Sequence, residues 1–430
     1  MTLAHKIWLL PFSMIASAPT AHAVPADVAP AGLTAEQVRE DVQLAIDAVE
    51  AGLPNIYWHQ SPAEWEEAKA EAFARIASVH DPIGVWSILA PLMNHVGEGH
   101  LHVFPSRETI DYERKTISVL PLDLHWNDKG AFISGVYGDA ADVPVGARLL
   151  SINGENADRF LDELVSVTPH DGRIRTSVMR ESDGEQYARM RRRLRGDEPH
   201  FVIRYDMAGA ITEKMVRSVP LAERPKAPAS EYRLPSLTWL APGTAYLDVP
   251  TFSNRPFKEA GTTFRAVVRD IFEELHRERA KRLILDLREN GGGAEPNESI
   301  LFSFLVAEPL HKYAAVETRG RNLLITSLSG KPFEHQVFDE DEINFQRPLK
   351  DGRLTRLNAP PFSLMSHEKK EQPIFAGRLV VLAGGNTFSG GAELASMLHH
   401  VRRGVFVGEE VGGAHQGNTS GNSWRVRLPN

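Results

Sequence analysis

The 430-residue chain contains no cysteine. It therefore folds without disulfides, and any nucleophile it carries is something other than a thiolate. It also lacks an excess of positive charge: 56 acidic against 48 basic residues leave a formal net charge of −8. Such a balance argues against a nucleic-acid partner. Beyond the first 23 residues no apolar run approaches the roughly 20 residues of a membrane span. The one early run, Ile7 to Ala18, follows Lys6 and precedes Ala21-His22-Ala23. This order of positive end, apolar centre and small-residue site reads as a secretion signal over residues 1–23. The mature chain is expected to start at Val24, to be periplasmic or secreted, and to have no membrane span. Loss of Lys6 with the signal takes the charge from −8 to −9. The remaining composition is that of an ordinary globular protein, and the length predicts two or three domains.

Read in order, residues 24–110 form a helical unit. Thr34-Ala35-Glu36-Gln37 and Ser61-Pro62-Ala63-Glu64 are capping boxes, and Asp81-Pro82 opens a third helix. This unit ends in Gly97-Glu98-Gly99-His100-Leu101-His102-Val103, which reads as a turn into an alternating strand. Residues 111–230 are short strands and turns, with a helix near Asp158 to Val165 and a hairpin from Phe201 to Val219. A basic cluster, Arg189, Arg191, Arg192, Arg193 and Arg195, reads as a solvated helix face or as a site for acidic ligands. From residue 231 to 430 strands alternate with helices, including a long helix expected from Phe257 to Arg279. Arg282 to Leu287 and Arg378 to Ala383, each built on a short apolar run, read as covered parallel strands.

Two of those strands run into glycine-rich turns, Asn290-Gly291-Gly292-Gly293 and Ser389-Gly390-Gly391. Ligands gather at the carboxyl ends of parallel strands, so both turns are expected to face one crevice. Ser389 stands where a helix begins, and two readings apply to it. It is the helix cap that serine favours, or it is a nucleophile served by backbone donors at the helix start. Gly291 or Gly292 together with Gly390 would then supply an oxyanion hole. A triple glycine is also simply a way to turn from strand to helix.

Three motifs carry a family resemblance. They are Asp286 to Gly293, Asn386 to Gly391, and Gly408-Glu409-Glu410-Val411-Gly412-Gly413-Ala414-His415-Gln416-Gly417-Asn418-Thr419-Ser420-Gly421. In order and spacing they resemble the S41 serine peptidases, the tail-specific and tricorn-core proteases. The segment Gly146-Ala147-Arg148-Leu149-Leu150-Ser151-Ile152-Asn153-Gly154 is similar to a PDZ motif, whose owners bind peptides by adding a strand to a sheet edge. The resemblance implies an α/β protein. Its crotonase-like core with a mostly parallel sheet would follow the helical unit and a PDZ-like β-rich domain. It implies Ser389 as nucleophile, Gly291, Gly292 and Gly390 as oxyanion donors, no metal or organic cofactor, and peptides or unfolded protein tails as substrates.

The general base divides this family. Tail-specific members have a lysine that would fall at Ala414 here, and none is present. The resemblance to the histidine type instead points to His100, with His102 two residues on as its rival; the Gly-His-x-His pattern also keeps a zinc hydrolase open. A non-catalytic peptide- or lipid-binding protein on the same scaffold is the other alternative, and a homo-oligomer is compatible with the sequence. The histidine type draws its orienting glutamate from a later segment. This chain stops at Asn430, so its core is expected to be incomplete, with Glu409 and Glu410 as local substitutes. A serine that some members place before the histidine is Gly99 here.

Overall fold

The computed structural model describes residues 32–224, 233–319, 335–338, 346–359, 363–367, 370–417, 419 and 423–430. The expected signal at 1–23 lies outside the described residues, as do Asn418, Ser420 and Gly421 of the third motif.

Local sequence accounts for the helical start. Helices α1 (Ala35–Gly52) and α2 (Pro62–Arg75) each open on a complete capping box, and Asp81 accepts the Gly84 N–H at the start of α3 (Pro82–Asn94). Their apolar faces enclose Val38, Val42, Ile46, Trp65, Leu89 and Leu92. A fourth helix, α4, spans Arg107–Thr116. The alternating strand expected after Gly97 does not form. Leu101 and Val103 pack onto the helical core instead, and the segment joins no sheet. His100 and His102 consequently do not share a strand face.

The middle of the chain builds an antiparallel sheet from β1 (Leu122–Asn127), β2 (Gly130–Val136), β3 (Arg148–Ile152), β4 (Glu155–Asn156), β5 (His200–Met207) and β6 (Ala210–Arg217). The β3–β4 turn is made by Asn153 and Gly154, both at positive φ (51° and 80°), as a two-residue hairpin of this hand requires. Helices α5 (Ala157–Val167), α6 (Thr176–Glu181) and α7 (Glu185–Arg195) accompany the sheet. The basic cluster lies on α7 and is engaged internally. Arg191 pairs with Glu155 and Glu198, Arg193 with Glu113, and Arg195 with Glu155 and Glu163. Arg189 and Arg192 stand farther from their acidic neighbours, 3.9 Å from Glu185 and 3.8 Å from Asp197.

The third section holds a five-stranded sheet in the order β11 (Val405–Gly408), β10 (Arg378–Ala383), β9 (Arg282–Asp286), β8 (Thr244–Asp248), β7 (Ser236–Ala241). Strands β8 to β11 are mutually parallel and β7 is an antiparallel edge, so the expected mostly parallel sheet is present. The expected long helix from Phe257 is two helices. Arg255–Glu259 ends short, and Thr263 Oγ1 then caps a new start by accepting the Ala266 N–H, giving α8 (Phe264–Arg277). With α9 (Asn297–Leu305) and α10 (Gly390–His400), α8 covers the sheet over Leu283, Leu285, Val381, Phe272, Phe304 and Leu398, all buried.

Candidate active site

Parallel pairing sets Asp286 beside Leu382, so β9 and β10 end together and their two turns leave side by side. They are then laced to each other. Thr387, fully buried, donates through Oγ1 to the Leu287 carbonyl (2.7 Å), and the Phe388 N–H donates to the Asn290 carbonyl (3.0 Å). A Cβ on Gly391 would stand 2.2 Å from that same Asn290 oxygen. The two glycine turns, expected to lie together, are packed against each other.

Ser389 is where this lacing is paid for. Its backbone sits at φ 49°, ψ −125°, a region that L-residues rarely occupy and that costs on the order of 1–3 kcal/mol. Its side chain makes no capping hydrogen bond to α10. Of the two readings open for this serine, the helix cap fails on geometry: the residue precedes the helix, but its hydroxyl is not used there.

The predicted oxyanion donors are unequal. Gly292, at φ +93°, is the close-approach position, because a Cβ there would lie 2.7 Å from Ser389 Cβ and 2.8 Å from the Gly390 nitrogen. Its own N–H is held by Asn290 Oδ1 at 2.9 Å. The Gly291 N–H reaches the Glu289 carbonyl, two residues back, at 3.2 Å, while a Cβ added there would meet nothing within 4 Å. The Gly390 N–H has no acceptor among the described residues.

His100 approaches from the helical unit. Its ring lies against Phe388, the neighbour of Ser389, with centroids 4.7 Å apart. No hydrogen bond joins the ring to Ser389 Oγ among the described residues, a looseness common where substrate is absent. On its other side, Nδ1 stands 3.2 Å from Glu98 Oε1, which also accepts the His100 N–H at 3.2 Å; Glu98 Oε2 accepts the Thr419 N–H at 3.0 Å. The carboxylate is therefore held at both oxygens, with the imidazole in front of it. His102 instead stacks on Phe104, 5.4 Å between centroids, and is exposed. There is no room for a serine before the histidine: a Cβ at Gly99 would meet Asp171 Oδ1 and Phe388 Cζ, each at 2.8 Å.

Sequence reasoning expected an acid from elsewhere and passed over both carboxylates that surround His100. Glu98 had a signal, its place two residues before the histidine. Asp171 had none; it comes from the loop between α5 and α6 and is buried among these turns. The named substitutes do other work. Glu409 accepts the Gly385 N–H (3.2 Å) and faces Arg180 (3.4 Å), and Glu410 is exposed. Glu98, His100 and Asp171 each bring a ligand atom within 4.8 Å of the others, the one such group among the described residues. The carboxylate oxygens of this set already accept the N–H groups of Gly99, His100, Ala414 and Thr419, and His102 does not join them, so the Gly-His-x-His pair is not assembled as zinc ligands.

A buried ionic group lies between the glycine turn and α10. Lys312, whose side chain is 2% exposed, pairs with Glu295 (2.8 Å) and Glu298 (2.6 Å), with Glu393 of α10 at 4.0 Å. Burial is the largest influence on Lys312 and acts to discharge it, yet the Glu298, Glu295 and Glu393 carboxylates together hold its pKa above the ordinary value. Lys312→Met leaves Glu298 buried and uncompensated, which costs about 3–5 kcal/mol. Urea unfolding of the full chain should show that loss as a lower midpoint, with part of it recovered by adding Glu298→Gln.

The site thus brings a strained serine and a glycine turn to adjacent strand ends of a mostly parallel sheet, with a carboxylate-backed histidine against the residue before the serine. Solved structures of similar fold include mature CPAF, 14% identical with a TM-score of 0.54 over 87% of this chain and 84% of that one. Mature CPAF complexed with lactacystin is likewise 14% identical, with a TM-score of 0.58 over 91% and 90%. No curated protein matches the sequence. The sequence profile of peptidase family S41 matches residues 243–423. Over that segment the chain is similar to the S41 family, and a serine peptidase is what that similarity supports.

Proposed function

We propose that the chain is an exported peptidase that hydrolyses peptides or unfolded protein tails through a Ser389 acyl-enzyme. His100 takes the Ser389 proton as the hydroxyl attacks the scissile carbonyl, and returns it to the leaving amine. Glu98 accepts from His100 Nδ1, keeping Nε2 free for the serine and stabilising the imidazolium that forms. The Gly390 amide is free to bind the oxyanion. Gly291, held only by a contact two residues back, is the better second donor, whereas Gly292 serves by letting its turn approach Ser389. The observation that carries this reading is Ser389 itself, kept in a strained backbone conformation with its hydroxyl not used to cap the helix. Export rests on Lys6, the apolar run after it and Ala21-His22-Ala23. Peptide capture at a PDZ-like sheet edge rests on the motif ending at Asn153-Gly154.

A fluorophosphonate probe tests the nucleophile without knowledge of the substrate. Covalent labelling confined to Ser389, found by peptide mass mapping and lost after heat unfolding, is the expected result. A folded chain that does not label would remove Ser389 from the reaction.

A further inference from the structure

The base is carried by a turn of the helical unit, and the nucleophile by the core sheet. Glu98 Oε2 links them directly by accepting the Thr419 N–H, and two further hydrogen bonds link them through one side chain. Asp171 Oδ1 accepts the Gly99 N–H at 2.7 Å, and Asp171 Oδ2 accepts the Ala414 N–H at 2.8 Å. The residue is 2% exposed and belongs to neither part, coming from the α5–α6 loop of the β-rich section. Around it that loop is held closely. The Gly172 N–H donates to the Gly97 carbonyl at 2.9 Å, a Cβ on Gly385 would stand 2.2 Å from the Thr176 carbonyl, and a Cβ on Gly412 would stand 3.0 Å from Ser177 Cβ. Segment 171–177 therefore touches the turn before His100, the turn before Ser389 and the Gly412–Ala414 turn.

We propose that Asp171 is a positioning residue for the base: its carboxylate ties the Gly99–His100 turn to the Gly412–Ala414 turn, so that docking of the β-rich section sets where His100 stands. This rests on His100 being the base. The side chain does not touch the reacting atoms; it acts through two backbone N–H groups and through its charge beside the imidazole. Burial first, and then the neighbouring Glu98 carboxylate, push the Asp171 carboxyl above its usual range, opposed by the two N–H donors and by His100. A second buried carboxylate this close to Glu98 is costly to keep. Hydrophobic packing alone would not select it, whereas two inward-pointing N–H groups on separate turns require an acceptor with two oxygens.

Asp171→Asn is nearly isosteric but can accept from only one of the two N–H groups, since its NH₂ must face the other. In the full chain, with folding checked by circular dichroism, kcat for a peptide substrate should fall by about 10²-fold, the order expected for a reacting group displaced by about 1 Å, with KM little changed. The acid limb of the kcat/KM profile should also move to lower pH, because a negative charge beside the imidazolium has been removed. A residue that merely holds the fold together would not move that limb. Asp171→Ser, smaller and still an acceptor for one N–H, serves if the amide variant does not fold, with the same expectations. His100→Ala is measured alongside. Wild-type kcat and an unmoved acid limb in the Asp171 variants, with His100→Ala inactive, overturn the positioning role and leave the base assignment standing. Full activity in His100→Ala overturns the base assignment and the positioning role with it.

Discussion

Ser389→Ala should lower kcat for peptide hydrolysis by on the order of 10⁵-fold or more, the scale on which serine and histidine act as a unit in such enzymes, while leaving the thermal midpoint nearly unchanged. The second half of this expectation separates the nucleophile from the cap. A capping serine replaced by alanine costs about 1 kcal/mol. Here the hydroxyl makes no capping bond, so that loss should be absent. Ser389→Gly sharpens the test, because glycine occupies positive φ without steric cost. It should be as inactive as the alanine variant yet more stable than the parent by about 1 kcal/mol, the lower end of the strain held at such a position. Urea unfolding and peptide turnover on the three proteins decide it. An alanine variant destabilised by a kilocalorie and still active would return Ser389 to the role of cap.

His100→Ala should be comparably inactive, and Ser389→Ala/His100→Ala together no worse than either alone, since a base without its nucleophile does nothing. His102→Ala should stay within a few-fold of the parent, because that ring is stacked on Phe104 away from the serine turn. Glu98→Gln keeps the shape but places an amide where Nδ1 needs an acceptor, and should cost about 10³–10⁴-fold in kcat, as removal of an orienting carboxylate does when the wrong tautomer results. Loss of activity in His102→Ala with His100→Ala unaffected would exchange the two histidines. An unaffected Glu98→Gln would place the orienting acid elsewhere.

Features determined by near neighbours along the chain are legible in the residues themselves. Both capping boxes, the Asn153-Gly154 turn and the bounds of β10 follow from local chemistry, as does the placement of glycine turns at the ends of two covered strands. The three-motif spacing carries the family resemblance, because it preserves the order in which strand ends meet. The local errors had local alternatives: Leu101 and Val103 alternate like a strand but pack onto helices, and the apolar face from Phe257 is continuous although the helix restarts at Thr263.

Three matters were decided only by tertiary structure. Whether Ser389 caps its helix depends on its backbone conformation and on its hydroxyl making no capping bond, in a turn so close to its neighbours that a Cβ on Gly292 or Gly391 would not fit; no propensity of serine encodes that packing. Which glycine amides remain free depends on Asn290 Oδ1 taking one of them. Which carboxylates surround His100 depends on a loop 72 residues from Gly99 and 243 residues from Ala414. Sequence alone supplies a candidate serine, the glycines beside it and a resemblance to the S41 peptidases, because those are written in short local motifs. The Asp171 tie between the His100 turn and the core arises where distant segments dock, so it is a property of the packed molecule.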